Sequence, residues 1–289
     1  MVLSAQTSGM VLGTIGMLIF SLTLPLTRVA LAGDALSPWF VWSGRTVLGA
    51  VAGAAYLGFV RAKTPPRAAW RPIAGVVLGV VFGWPLLNTV ALQSAPASHA
   101  AVVNGILPLA TALIGAWLNH ERPPRRFWLC AVAGTLVVSG YAWQRAHGSV
   151  HAADVLLFAG VLAGGVGYAS GAIATRHLPG LQVISWALIL GLPGTLCISA
   201  LSWPAHIERV SVVSWSAFVY LGLMSQWAGF LFWYGGLARG GIARVSQVQL
   251  VQLFVTLAFA ALLLGEPIEA AMAVVALVTV ALIAMGRRA

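Results

Sequence analysis

Charge is scarce in this chain of 289 residues: only 8% are Asp, Glu, Lys or Arg. A soluble domain of this size carries about a quarter. With 60% hydrophobic residues and a mean hydropathy of +0.93, the polar surface is too small to face water, so the chain must face lipid. Acids are scarcer still. The 6 present, Asp34, Glu121, Asp154, Glu208, Glu266 and Glu269, all fall in connectors or at the ends of apolar runs. No aspartate pair therefore lies mid-membrane, and neither HExxH nor GxSxG occurs, which argues against an intramembrane enzyme. "GYASG" at 167–171 puts Ser170 one place off a nucleophile elbow within an apolar run, where glycine packing accounts for it. The 2 cysteines, Cys130 and Cys197, sit inside apolar runs. That excludes a disulfide framework, a CxxC pair and Cys/His metal spacing, and neither a metal nor a cofactor is expected. No Pro- or Ser-rich linker and no soluble tail interrupts the chain, so the expectation is one integral membrane unit.

What fills the chain is ten apolar stretches, each near the roughly 20 residues a bilayer crossing needs. They predict helices over 9–31, 38–60, 72–93, 97–119, 127–144, 153–176, 181–203, 212–237, 242–264 and 268–286. Lipid offers no partner to unpaired backbone, so each crossing is helical or broken only against protein. Pro25, Pro85, Pro108 and Pro193 fall inside these spans. The connector at Ser94–Ser98 is so short that helices 3 and 4 must form a tight antiparallel hairpin. Helix 1 has no basic residue before Arg28 and an apolar run longer than a signal core, so it is read as a span and not as a cleaved leader.

Basic residues set the orientation. If both termini are cytoplasmic, the inner connectors hold Arg61, Lys63, Arg67, Arg71, Arg122, Arg125, Arg126, Arg176, Arg239, Arg244, Arg287 and Arg288. The outer side then has only Arg28, Arg145 and Arg209, and five of the 6 acids. The net charge of +10 follows from this bias, so it gives no reason to expect a nucleic-acid partner.

Shifting the chain by 145 residues aligns 91–121 with 236–266. Leu92, Val103, Thr111, Ala116, Leu118 and Glu121 then meet identical residues at Leu237, Val248, Thr256, Ala261, Leu263 and Glu266. Both segments read as a short-turn hairpin entering a helix that ends in Glu and is followed by one more span. The chain is thus five helices plus five, residues 1–146 and 147–289. Five is odd, so the second copy crosses in the opposite sense. The fold class expected is an all-α integral membrane protein of ten helices in two inverted repeats around a central cavity. Such repeats are a transporter signature, with the site near the midplane between the halves.

The strings "ALQSAPASHAAVVNGILPL" (91–109), "IGAWLNHERP" (114–123), "AALLLGEP" (260–267) and "WSGRTVLGAV" (42–51) resemble the drug/metabolite transporter superfamily, EamA branch, over the whole length. The first copy carries Asn119-His120-Glu121 where the second has Leu264-Gly265-Glu266. The resemblance is nearest to bacterial amino-acid and metabolite exporters. It implies a multi-pass protein of the bacterial inner membrane, alternating access, and a small-molecule substrate, with the lipid bilayer as the other partner. A broad exporter of drugs or lipophilic cations is the alternative, and a receptor role stands apart from both.

Polar and aromatic residues inside spans mark candidate cavity positions. In helix 9, Gln249, Gln252 and Thr256 share a face, and the shift puts Asn104 opposite Gln249. An amide at similar depth in each half both donates and accepts, which suits a zwitterion. Trp84 and Asn88 share a face of helix 3. The shift equates Asn88 with Trp233 in helix 8, where Gln226 adds an amide. Phe20 and Tyr168 occupy comparable places in helices 1 and 6. The substrate-binding set is thus Trp84, Asn88, Asn104, Gln249, Phe20, Tyr168, Gln226 and Trp233. Trp39, Trp70, Trp128 and Trp203 sit at span ends as interface anchors. Arg45, the one basic residue well inside a span, either attracts a carboxylate or snorkels outward.

Overall fold

A computed structural model describes residues 4–118, 125–145, 151–240, 245 and 248–287. These residues are helical almost throughout, as expected of an all-α membrane protein. Five helical segments are long and apolar enough by themselves to cross a bilayer: 6–31, 67–91, 97–118, 152–174 and 180–201. Shorter apolar helices occur at 128–138, 251–264 and 270–282.

Helix 1 is two pieces, Ala5–Ser21 and Thr23–Leu31. Helix 2 spans Pro38–Phe59, with Ser37 as its N-cap and Pro38 in the first turn. Helix 3 runs as Arg67–Val76, a π-helical stretch Val77–Gly83, and Trp84–Ala91. It starts earlier than its apolar run because Pro66 ends the preceding loop and the first, arginine-bearing turn is already helical. Helix 4 is Ala97–Asn104 and Leu107–Leu118. Helix 5 is Arg125–Arg145, helix 6 Ala152–Ala174 and helix 7 Gly180–Leu201. Helix 8 repeats the plan of helix 3, as Val212–Tyr220, a π stretch Leu221–Ala228, and Gly229–Gly240. Helix 9 is described over Gln249–Leu264 and helix 10 over Ala270–Arg287.

The breaks have sequence causes. A proline ring collides with the carbonyl four residues earlier and cannot donate to it. Pro25 therefore interrupts helix 1 beside Ser21, and Pro108 interrupts helix 4 just after Asn104. Pro85 frees the Val81 carbonyl, which instead accepts a bond of 2.9 Å from the Trp42 indole Nε1. The two π stretches coincide under the 145-residue shift, since 77–83 maps onto 222–228. Non-helical backbone at membrane depth survives only where protein or a cavity receives the freed groups.

The largest packing contacts recur when each helix is exchanged for its counterpart five places along. Helix 1 lies on helix 8 as helix 6 lies on helix 3, and helix 4 on helix 6 as helix 9 on helix 1. Helices 2 and 7, 5 and 10, and 4 and 9 are self-paired. Close approach at two of these seams depends on glycine. A Cβ on Gly9 would collide with the Gly240 backbone, and one on Gly79 with the backbone of Gly167 and Ala163. Small residues at such contacts are how helices gain packing area in lipid, where burial alone gives no drive to associate.

The ends of helices 1, 3 and 9 and the start of helix 4 meet at one face of the bundle, the distal face, where the two halves are tied together. Helix 4 begins after Pro96, which has no side-chain cap to offer. Glu266 supplies one from the other half: its Oε1 accepts from the Ala97 N–H at 2.9 Å and its Oε2 from the Ser98 N–H at 2.7 Å. Gly265, left-handed at φ 66°, ends helix 9 and turns Glu266 toward this contact. Nearby, Arg28 Nη1 donates to the Leu92 carbonyl at 2.8 Å, capping the end of helix 3. His99 Nε2 lies 2.7 Å from Asp154 Oδ1, joining the first turns of helices 4 and 6.

Candidate functional site: a central cavity between the halves

The helix breaks converge on one cavity that is partly open to the outside. Helices 1, 2, 3, 4, 6, 8 and 9 line it; helices 5, 7 and 10 do not. Several lining residues are partners under the 145-residue shift: Thr23 with Tyr168, Val80 with Ser225, Asn104 with Gln249, Leu107 with Gln252, and Pro108 with Leu253. The cavity therefore straddles the axis relating the halves.

Six of the eight residues expected at the site line it: Phe20, Trp84, Asn104, Tyr168, Gln226 and Gln249. On the helix 3–4 side their polar groups are already engaged. The Trp84 indole Nε1 donates to Asn104 Oδ1 at 2.7 Å. Asn104 Nδ2 donates to Asn88 Oδ1 at 2.8 Å and to the Ala100 carbonyl at 2.9 Å. Asn88 Nδ2 turns back to the Trp84 carbonyl at 2.9 Å. The network fixes the indole and leaves Asn104 Oδ1 with acceptor capacity, since a carbonyl oxygen has two lone pairs.

Asn88 and Trp233, equated by the shift, both lie behind the lining. Asn88 is buried because its amide serves this network and its own helix. Trp233 is buried edge-on to Phe20, with ring centroids 6.4 Å apart, and lies beside the Gly16 backbone. It backs the aromatic wall formed by Phe20, Tyr168 and Phe230, in which Phe20 and Phe230 lie 5.0 Å apart.

Gln226 Nε2 donates to the Val80 carbonyl at 3.1 Å, so the π stretch of helix 8 helps to satisfy that of helix 3. Next to it Ser225 Oγ lies 2.8 Å from Thr23 Oγ1 and accepts from Arg45 Nη2 at 2.9 Å. In helix 9, Gln249, Gln252 and Thr256 do line the cavity together. Gln249 Oε1 is buried without a hydrogen-bond partner among the described residues. Gln247 lies outside the described residues.

Arg45, Ser225, Thr23, Gln252 and Thr256 complete the polar inventory beyond the expected set. Sequence reasoning missed Ser225, which lies beside Gln226 in the π stretch of helix 8. Arg45 does not snorkel. It is 2% exposed and lines the cavity. Trp39, Trp128 and Trp203 are exposed, as interface anchors are, whereas Trp70 is half-buried against Trp186.

Comparison with known proteins agrees with this architecture. The model of the EamA-like transporter family matches twice, over residues 7–142 and 151–285. The chain belongs to that family. It is 38% identical to the uncharacterized transporter YdeK of Bacillus subtilis (strain 168) over 286 residues, covering 99% of both chains. It is 21% identical to the uncharacterized transporter YyaM of the same organism over 182 residues, 60% of each chain. A crystal structure at 22% identity shares the fold, with a TM-score of 0.62 over 97% of this chain and 96% of the other. The protein is thus a multi-pass membrane transporter, and the cavity is where its substrate site is to be sought.

Proposed function

We propose that this transporter exports amino acids or related small metabolites across the bacterial inner membrane by alternating access. Residues 1–146 and 147–289 act as the two inverted halves. The observation that carries the reading is the cavity itself, set on the axis between the halves where four helices are broken or π-wound. Its aromatic wall suits an apolar side chain. Its amides, Asn104 and above all the unpartnered Gln249, suit the polar end of a zwitterion. Exchange symmetry in the packing supplies the second element of alternating access, because a seal made at one end has a counterpart position at the other. Both termini are cytoplasmic in this reading, which makes the distal face periplasmic. Export of lipophilic cations is disfavoured by the lining, which among the described residues includes a cation and no carboxylate.

Purified protein in proteoliposomes, loaded with one labelled amino acid and challenged with a panel of unlabelled ones, tests the reading. Trp84→Ala and Gln249→Ala should lower flux severalfold while melting close to the parent protein. A vesicle preparation that moves no amino acid or related metabolite would sink the proposal. Loss of flux in proportion to lost folded protein would return both residues to packing.

A further inference from the structure

Arg45 is the anomaly of the interior. It lies in helix 2 among buried neighbours, Trp42, Ser43, Gly44 and Thr46, and is itself 2% exposed. A guanidinium has five N–H donors and keeps its charge in proteins. Here it makes one hydrogen bond, from Nη2 to the neutral Ser225 Oγ at 2.9 Å. Its Nε has no hydrogen-bond partner, and no carboxylate pairs with it among the described residues. The Ser225–Thr23 hydroxyl pair orients the group but cannot neutralise it. Burying an unpaired ion is among the costliest arrangements a fold can hold, and such a residue in a span marks a site for its missing partner. Arg45 and the cavity are contiguous, so the space for that partner is the cavity.

We infer, building on the carrier reading above, that Arg45 is the anion anchor of the cavity and that the transported molecule is recognised through a carboxylate. The planar fork of the guanidinium matches a carboxylate's two oxygens. Recognition of a phosphate ester, with about two negative charges, ordinarily draws on a cluster of cations. Among the described residues Arg45 is the single cation in the lining. The other buried polar atom there without a partner, Gln249 Oε1, is an acceptor and takes an N–H or O–H from the same molecule. The hierarchy between the two is electrostatic. A charge-assisted bond is roughly twice as strong as a neutral one, so the carboxylate is required and the donor group is secondary. Carboxylic acids without the amine should therefore bind, whereas amides and decarboxylated amines should not.

The test is the melting temperature of the purified full-length protein against matched probes. These are leucine, leucinamide, isoamylamine and 4-methylpentanoate, the corresponding phenylalanine set, a series of hydroxy and keto acids, and inorganic phosphate. The two acids of the better-fitting set should stabilise the protein, and its amide and amine should bind about tenfold or more weakly. Arg45→Lys should keep the preference for acid over amide, and Arg45→Met and Arg45→Gln should abolish it. Equal binding of acid and amide by the parent protein overturns the inference. So does stabilisation by phosphate but no carboxylate, stabilisation by none of the acids, or a folded Arg45→Met that still prefers the acid. If Arg45→Met does not fold, the comparison of acid with amide on the parent protein decides alone. Acid binding without flux in proteoliposomes would sink the carrier reading and leave the anchor standing. Equal flux of amino acids and their amides would do the reverse.

Discussion

Replacing Glu266 by alanine should open the cavity toward the distal face. The Glu266 carboxylate is the N-terminal cap of helix 4, donated by helix 9 of the other half. The two N–H groups it receives, on Ala97 and Ser98, belong to buried residues. They are also among the donors that a helix leaves without an internal partner. Losing a side-chain cap costs about 0.5–2 kcal/mol, and a bond to a charged group about 1.5–3 kcal/mol. A carboxylate at a helix N-terminus also gains from the helix dipole. These terms overlap, so a figure of about 2 kcal/mol serves for the whole contact. In the alternating-access reading, the contact exists only while helices 4 and 9 meet at this end. Once they part, both groups are wet, and the loss falls on the closed state alone. About 2 kcal/mol is then a shift of roughly thirtyfold toward the distally open state. The assay is a single reporter cysteine at Thr256, which lines the cavity, in a background without Cys130 and Cys197. An impermeant thiol reagent is added outside intact cells. Glu266→Ala should label up to roughly thirtyfold faster, and Glu266→Gln should fall between, because its one amide oxygen keeps one of the two bonds. Unchanged labelling in a Glu266→Ala protein that still melts normally would refute the seal. A loss of stability with no gain in labelling would mean that the contact persists in both access states.

Four further outcomes are expected. Cysteines at 65 and 150, probed in the same way, should label at 150 and not at 65; the reverse would overturn cytoplasmic termini. Gly79→Val should lower the melting temperature by the equivalent of about 1–3 kcal/mol, because its side chain meets the helix 6 backbone, and a neutral result would mean that the seam is looser than described. Asn88→Leu should weaken apparent substrate affinity without touching substrate, since it frees Asn104 Nδ2 and unlocks the Trp84 indole; unchanged affinity would show that the network holds without it. A substrate gradient alone should drive flux, and Glu121→Gln and Glu266→Gln should retain most of it. Uphill accumulation under an imposed pH gradient, abolished by either variant, would make that glutamate the proton site.

Much of the fold was legible because lipid forces a length scale on the sequence. Apolar runs near the bilayer thickness gave the helices, with ends displaced by a few residues where a proline begins a helix early or polar turns stay helical. The shift by 145 residues gave the plan of the cavity, and its best-defined pair, Asn104 and Gln249, does face it from both halves. What the sequence could not carry was rotation and partnership. Asn88 was assigned to the cavity by the same helical face as Trp84, but its amide had backbone and side-chain partners that a face diagram does not show. Arg45 had a depth but no direction until the helices around it were placed. Glu266 read as a span-end acid, and its partners lie 169 and 168 positions away in the chain.

The two halves are alike in backbone and unlike in chemistry, and the difference bears on how the transporter works. Where the shift sets lining residues opposite one another, Asn104 and Gln249 are both amides, but Val80 faces Ser225 and Leu107 faces Gln252. Under the alternating-access proposal, packing contacts that recur in both halves favour two arrangements of similar energy. A symmetric lining would also hold a small molecule in two equivalent poses. The hydroxyls and the cation of Arg45 break that equivalence on one side of the axis, and the free acceptor of Gln249 marks another point of the lining. A ligand with a carboxylate at one end and a donor elsewhere then has a single best orientation.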